Sequence, residues 1–142
     1  FYREAYGALV RLSHSFRNVA LPMPDVEHAH SFSFDELRNT VQSSEGPVLI
    51  DFWEPRCTAC RATLDTIDRL ACRVSGHGVV GTFNVHENPE AARSLGVETV
   101  PTLIVFRDGE VESVLQGAEK IQNFVDRIDE EVFFGNPPTC ET

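Results

Sequence analysis

Residues 48–61 read Val-Leu-Ile-Asp-Phe-Trp-Glu-Pro-Arg-Cys-Thr-Ala-Cys-Arg, and this run leaves few folds open. Val48 to Phe52 is a short apolar run holding one acid, Asp51. Such a run suits a strand buried on both faces, as in a sheet covered by helices. Pro55 cannot continue a ladder, so the strand ends there. Cys57 and Cys60 follow at C-x-x-C spacing, and a helical pattern starts at once, with Cys60, Leu64, Ile67, Ala71 and Val74 on one face. The pair therefore sits where a strand hands over to a helix N-terminus. Free amide N–H groups and the positive end of the helix dipole stabilise a thiolate at that point.

Two cysteines three positions apart on a first helical turn can close a small disulfide and reopen it without moving the scaffold. Cys57 is the exposed nucleophile in this reading. Cys60, one turn further in, attacks the mixed disulfide that results. A C-x-x-C pair also serves as half a zinc site, or as two unrelated thiols. The preceding strand, the buried acid and the following helix favour redox chemistry. Asp51 is costly as an ion inside an apolar strand. It is either an acid satisfied by a buried water or a proton acceptor for Cys60, its pKa raised by desolvation.

The rest of the chain supports an α/β domain. Residues 1–17 place Tyr2, Ala5, Tyr6, Leu9, Leu12 and Phe16 on a helical stripe with Arg3, Arg11 and Arg17 off it. That segment reads as a helix packing on the domain or, alternatively, meeting a partner or a membrane surface. Two prolines make Leu21–Asp25 a linker. A helix follows over 35–42, with Ser33 and Glu36 spaced as a capping box. His28 and His30 flank Ala29 in what reads as solvated linker. After the active-site helix, Val79 to Val85 is a strand. Asn88-Pro89 opens a short helix that Gly96 ends. Thr102 to Arg107 is a strand turned by Asp108-Gly109. Glu110 to Gln116 returns antiparallel. The last helix aligns Ile121, Phe124, Val125, Ile128 and Val132. From the central strand onward the order β-α-β-α-β-β-α predicts a mixed sheet with helices on both faces. The divisions expected are an extension over 1–23, a domain over 24–134 and a tail over 135–142.

Composition excludes some classes. Twenty-two acids against twelve basic residues give a net charge of −10, which disfavours nucleic acid as a partner. No apolar run approaches the roughly 20 residues that span a bilayer. Four cysteines in 142 residues do not make a disulfide framework. Cys72 lies off the apolar stripe and Cys140 in the tail, where either could join a regulatory disulfide. A zinc site using all four lacks a second pair of ligands on a tight turn, and no two of the five histidines pair at metal-ligand spacing on a helix. The expected compartment is the cytoplasm, with export the alternative if a signal precedes Phe1.

The segment Asp51-Phe52-Trp53-x-x-x-Cys57-x-x-Cys60 resembles the active-site segment of the thioredoxin family. Val100-Pro101-Thr102 resembles its second signature, a cis-proline facing the disulfide. Asp108-Gly109-Glu110 resembles its last hairpin, and Gly117 the glycine before its final helix. The likeness covers about residues 30–132. It implies a thioredoxin-like fold and a thiol–disulfide oxidoreductase in which Cys57, Cys60 and Asp51 are catalytic. It further implies no cofactor beyond the Cys57–Cys60 disulfide and no metal. The partners it implies are disulfide-containing or dithiol proteins and an upstream thiol reductase or oxidase. Trp53, Arg56, Thr58, Ala59, Val100, Pro101 and Gly117 would face the substrate, with the Val100 backbone pairing to it as an added strand.

Three residues depart from the family pattern. Thr58-Ala59 replaces Gly-Pro, Arg56 replaces a second tryptophan, and Thr82 stands where a lysine usually neighbours the acid. They bear on potential and partners, and call recognition by ordinary thioredoxin reductase into question. Ala59 keeps an amide N–H to donate to a Cys57 thiolate, and Arg56 adds a nearby positive charge. Both predict a pair more oxidising than the roughly −270 mV of thioredoxin. Two other classes remain open: a thioredoxin-like binding module with one dedicated partner and little reductase activity, and a cysteine pair holding metal or an iron–sulfur cluster across a dimer.

Overall fold

A five-stranded sheet in the order β1-β3-β2-β4-β5 forms the spine of the computed structural model, which describes residues 29–130. In chain order the elements are β1 (His30–Ser31), α1 (Phe34–Ser43), β2 (Val48–Trp53), α2 (Thr58–Val74), β3 (Val79–Asn84), α3 (Pro89–Ser94), β4 (Thr102–Arg107), β5 (Glu110–Gln116) and α4 (Ala118–Glu130). The stripe expected over 1–17, the linker at 21–25, His28, Val132 and the tail with Cys140 lie outside the described residues.

The central strand β2 pairs parallel with β3 and antiparallel with β4, so the sheet is mixed as expected. Its first five residues are buried because helices cover both faces. Alternation sorts its side chains into two layers. Val48, Ile50 and Phe52 join Leu37, Val41, Phe83, Ala92 and Leu95 in the layer that includes α1 and α3. Leu49 joins Ile67, Leu70, Val74, Ile121 and Val125 under α2 and α4. Full burial stabilises by about 1.5–3 kcal/mol for each Phe, Ile or Leu side chain, so these two layers hold the strand in place. Asp51 alternates with Ile50 and Phe52 and therefore points to the α2 side.

Local chemistry sets the helix ends. Glu36 N–H donates to Ser33 Oγ at 3.2 Å and Ser33 N–H to Glu36 Oε2 at 2.8 Å, which completes the capping box. Asn88 Oδ1 accepts from Ala91 N–H at 3.2 Å, with Pro89 in the first turn of α3.

Two expectations change. His30 is not solvated linker: it lies in β1, paired parallel to Gly81 of β3, half-buried with its ring edge-on to Phe32. A two-residue strand is too short to show a period. What permits it is Gly81, because a Cβ there would overlap the Phe32 ring and the His30 carbonyl oxygen. The buried face of α2 is also rotated from the apolar stripe. It runs Cys60, Thr63, Thr66, Ile67, Leu70 and Val74, while Leu64 and Ala71 are only half-buried. The two threonines are tolerated because each hydroxyl donates a bond, Thr63 to the Ala59 carbonyl at 2.7 Å and Thr66 to Gln122 Oε1 at 2.8 Å.

Candidate active site

Three segments meet at the C-terminal end of β2. The first is the start of α2, where Cys57 occupies the N-cap position and Cys60 the third helical position. The two are joined in a disulfide with Cα atoms 5.1 Å apart. Cys57 is half-buried and Cys60 fully buried, the asymmetry that an attacking and a resolving sulfur require. Cys60 N–H donates to Cys57 Sγ at 3.0 Å. An N-cap acceptor takes a bond from the second or third amide of its helix, so the donor is set by helix geometry. This corrects the expectation that assigned the donor to Ala59. Ala59 is exposed, as are Thr58 and Arg56.

The second segment is the loop before β4. The Val100–Pro101 peptide is cis, and the Val100 carbonyl oxygen lies 3.9 Å from Cys57 Sγ. Thr102 Oγ1 donates to the Thr99 carbonyl at 2.7 Å and steadies this turn. Gly117 binds it from the other side, its N–H donating to the Pro101 carbonyl at 2.9 Å. Gly117 has φ +98°, in the region that favours glycine. Val100 is thus brought to Cys57 across 43 positions, and Gly117 is bonded to the cis-proline that follows it.

The third segment is β2 itself. Asp51 is fully buried beneath α2, level with Thr82 of β3 and Leu103 of β4 in the ladder. Neither carboxyl oxygen meets a hydrogen-bond donor among the described residues. Desolvation therefore goes unopposed and raises its pKa from 3.8 to about 7. Thr82, itself buried, brings no charge to offset this. Trp53, at the end of β2, is half-buried, and its carbonyl accepts from Val85 N–H at 2.9 Å. No group of three His, Cys, Asp or Glu side chains able to hold a metal occurs among the described residues.

The thioredoxin family model matches residues 28–130, the span that carries all three segments. The chain belongs to the thioredoxin family. It is 34% identical over 131 residues to a protein named thioredoxin M-type, chloroplastic, of Pisum sativum, covering 86% of this chain and 74% of the pea protein. It is 30% identical over 108 residues to the thioredoxin of Haemophilus influenzae, covering 74% of this chain and 98% of that one. The solved structure of a mutant thioredoxin from Halobacterium salinarum superposes with a TM-score of 0.61 at 27% identity, over 75% of this chain and 92% of its own. With the Cys57–Cys60 disulfide at the family's active-site position, this member of the family is a thiol–disulfide oxidoreductase. No helix among the described residues is long and apolar enough to cross a membrane.

Proposed function

We propose that the chain exchanges disulfides with protein substrates through Cys57 as nucleophile and Cys60 as resolving thiol, with Asp51 as the proton acceptor for Cys60. The observation that carries this reading is the asymmetry of the pair: Cys57 half-exposed at a helix start, Cys60 fully buried at the third helical position, as Asp51 is in β2. In the reducing direction the Cys57 thiolate attacks one sulfur of a substrate disulfide and releases the other as a thiolate. Cys60 passes its proton to Asp51, and the resulting thiolate attacks Cys57 Sγ. That step frees the second substrate sulfur and closes the 57–60 bond. Two thiols of the enzyme are oxidised and one substrate disulfide becomes two thiols, so electrons balance. Oxidation of a substrate dithiol is the same sequence reversed.

Substrate recognition falls to the surface around Cys57. Trp53, Arg56, Thr58, Ala59, Val100, Pro101 and Gly117 border it, and an extended substrate strand pairs with the Val100 backbone. Reduced enzyme is regenerated by an upstream thiol reductase, or oxidised enzyme by an upstream thiol oxidase. We take 24–134 as the catalytic domain, 1–23 as an extension and 135–142 as a tail. Reduction of insulin disulfides with dithiothreitol as electron source tests the reading. The wild-type chain accelerates precipitation and Cys57→Ser does not. Equal rates for the two would leave a binding module as the better description.

A further inference from the structure

A cavity of about 610 Å³ opens at the end of β2 opposite the disulfide, on the side of the sheet that α2 and α4 cover. The proposed exchange at Cys57 leaves it unused. It forms where α2 stops. Gly76, at φ +86°, turns the chain, and the Val74 carbonyl accepts from His77 N–H at 2.9 Å and Gly78 N–H at 3.1 Å. No further turn of α2 then lies over the strands.

The floor is a row across three strands. Leu49 of β2 pairs with Val105 of β4, and Val105 pairs with Ser113 of β5. Leu49 and Val105 belong to the apolar layer beneath the helices, whereas Ser113 is a small side chain on the edge strand and fills little of the space. Val74 forms one wall, and Phe124 and Ile128 of α4 another. Phe124 and Ile128 pack on the same layer yet are only half-buried, so each keeps apolar surface that the fold leaves uncovered.

The rim is cationic. Arg127 stands three positions after Phe124 and so shares its side of α4. It has no acidic partner among the described residues. Arg107 donates Nε–H to Glu112 Oε1 at 2.9 Å, which leaves its two Nη groups for another acceptor. Among the described residues Glu112 is the only acid lining the cavity, and Arg107 already holds it.

We propose that this cavity is a binding site for an amphipathic carboxylate with an alkyl body, of the medium-chain fatty-acid class. Its volume lies within the range of small-molecule sites. Floor and walls are aliphatic apart from Phe124, which suits an alkyl chain better than a stacked ring. The carboxylate meets Arg127 and the free Nη groups of Arg107, since a guanidinium fork matches a carboxylate. A bare anion would leave the floor wet, and an uncharged chain would leave Arg127 unanswered, so both parts of the ligand contribute.

Titration calorimetry of the full chain with sodium decanoate, at low ionic strength and below micelle formation, tests this. Saturable binding at one site is expected. Each methylene withdrawn from water tightens binding by up to about fourfold, so octanoate should bind about tenfold more weakly than decanoate. Acetate should give no signal. Arg127→Gln should weaken decanoate about tenfold, as loss of one charge-assisted hydrogen bond does, and leave decan-1-ol unaffected. Ser113→Leu fills the floor and should abolish saturable binding of both. Insulin reduction at the wild-type rate confirms that each variant is folded. Non-saturating heats, decan-1-ol binding as tightly as decanoate, or undiminished decanoate binding by Ser113→Leu would each overturn the proposal.

Discussion

Replacing Asp51 by Asn moves stability and activity in opposite directions, and the size of each change follows from burial. The native carboxyl has a pKa raised from 3.8 to about 7 by desolvation. Between those values the folded protein keeps a proton that the unfolded chain has released. The unfolded state binds fewer protons, so stability falls as pH rises through that window and levels off above it. At 1.36 kcal/mol per pKa unit, the full cost above pH 7 is about 4 kcal/mol. Asparagine carries no charge, so that cost disappears. Its amide inherits a site where neither oxygen of the acid has a donor, and leaving it unpaired costs about 1–3 kcal/mol. The net gain at pH 8 is therefore about 1–3 kcal/mol, and at pH 4 the variant is no more stable than wild type.

Urea unfolding of both proteins at pH 4 and pH 8 measures this. The contributions of all other carboxylates cancel in the difference between the two proteins. The difference should change by about 3–4 kcal/mol between the two pH values. A variant whose stability tracks wild type at both would mean that Asp51 titrates normally and is hydrated. Kinetics supply the second half. The rate of the resolving step in wild type rises with pH through about 7, as the carboxyl ionises and can take the Cys60 proton. Asp51→Asn loses that inflection and slows the step by roughly 10²-fold or less. A stabilised variant with undiminished turnover would separate the two halves and leave the acid without a catalytic role.

The remaining predictions concern the thiols and the sheet. Cys60→Ser should accumulate mixed disulfides with substrates on non-reducing gels, and Cys57→Ser should not; the reverse pattern exchanges their roles. Ala59→Pro leaves the Cys60 amide donating to Cys57 Sγ, so the potential of the pair, expected above the roughly −270 mV of thioredoxin, should fall by about 30 mV or less in glutathione buffers. Arg56→Ala should also lower it, by an amount that shrinks with added salt because the side chain is exposed; a salt-independent drop would rule out the charge as the cause. Gly81→Ala should destabilise by about 1–3 kcal/mol in thermal or urea melts, since the new methyl meets the Phe32 ring and the His30 backbone. Wild-type stability would mean that β1 does not pack on β3.

Much of this architecture was legible because one signal dominated each segment. Val48–Phe52 could be read as a central strand, observed over Val48–Trp53, since an apolar run of that length has no exposed face to spare. Ser33–Glu36 and Asn88-Pro89 were legible because capping depends on neighbours a few residues apart. Asp108-Gly109 marked its hairpin for the same reason, both residues adopting positive φ. What escaped the sequence depends on distant partners. The burial of Thr63 and Thr66 has no apolar signal in the sequence, and Thr66 is satisfied by Gln122, fifty-six positions away. β1 shows no periodicity and exists because Gly81 lets Phe32 lie flat on β3.

The donor to Cys57 is the sharper case, since all its determinants are local and it was still misassigned. Reading the dipeptide between the cysteines draws attention to which residue can give an N–H, and Ala59 can where proline cannot. The geometry asks instead which N–H points at the cap. With Cys57 at the N-cap, an amide at the third helical position reaches its sulfur, and that amide is Cys60's own. Every C-x-x-C pair that caps a helix in this way carries the same donor, whatever lies between the cysteines. The dipeptide must then tune the pair by lesser means: exposure at Thr58 and Ala59, and the charge of Arg56 beside them. Exposed charges act through water and are screened, so their contribution is about 1 kcal/mol or less. At roughly 30 mV per 1.4 kcal/mol this sets a ceiling of about 20 mV on what Arg56 can do. Larger differences in potential between this chain and its relatives would have to come from the buried side of the pair, where Cys60, Asp51 and Thr82 are all withdrawn from water.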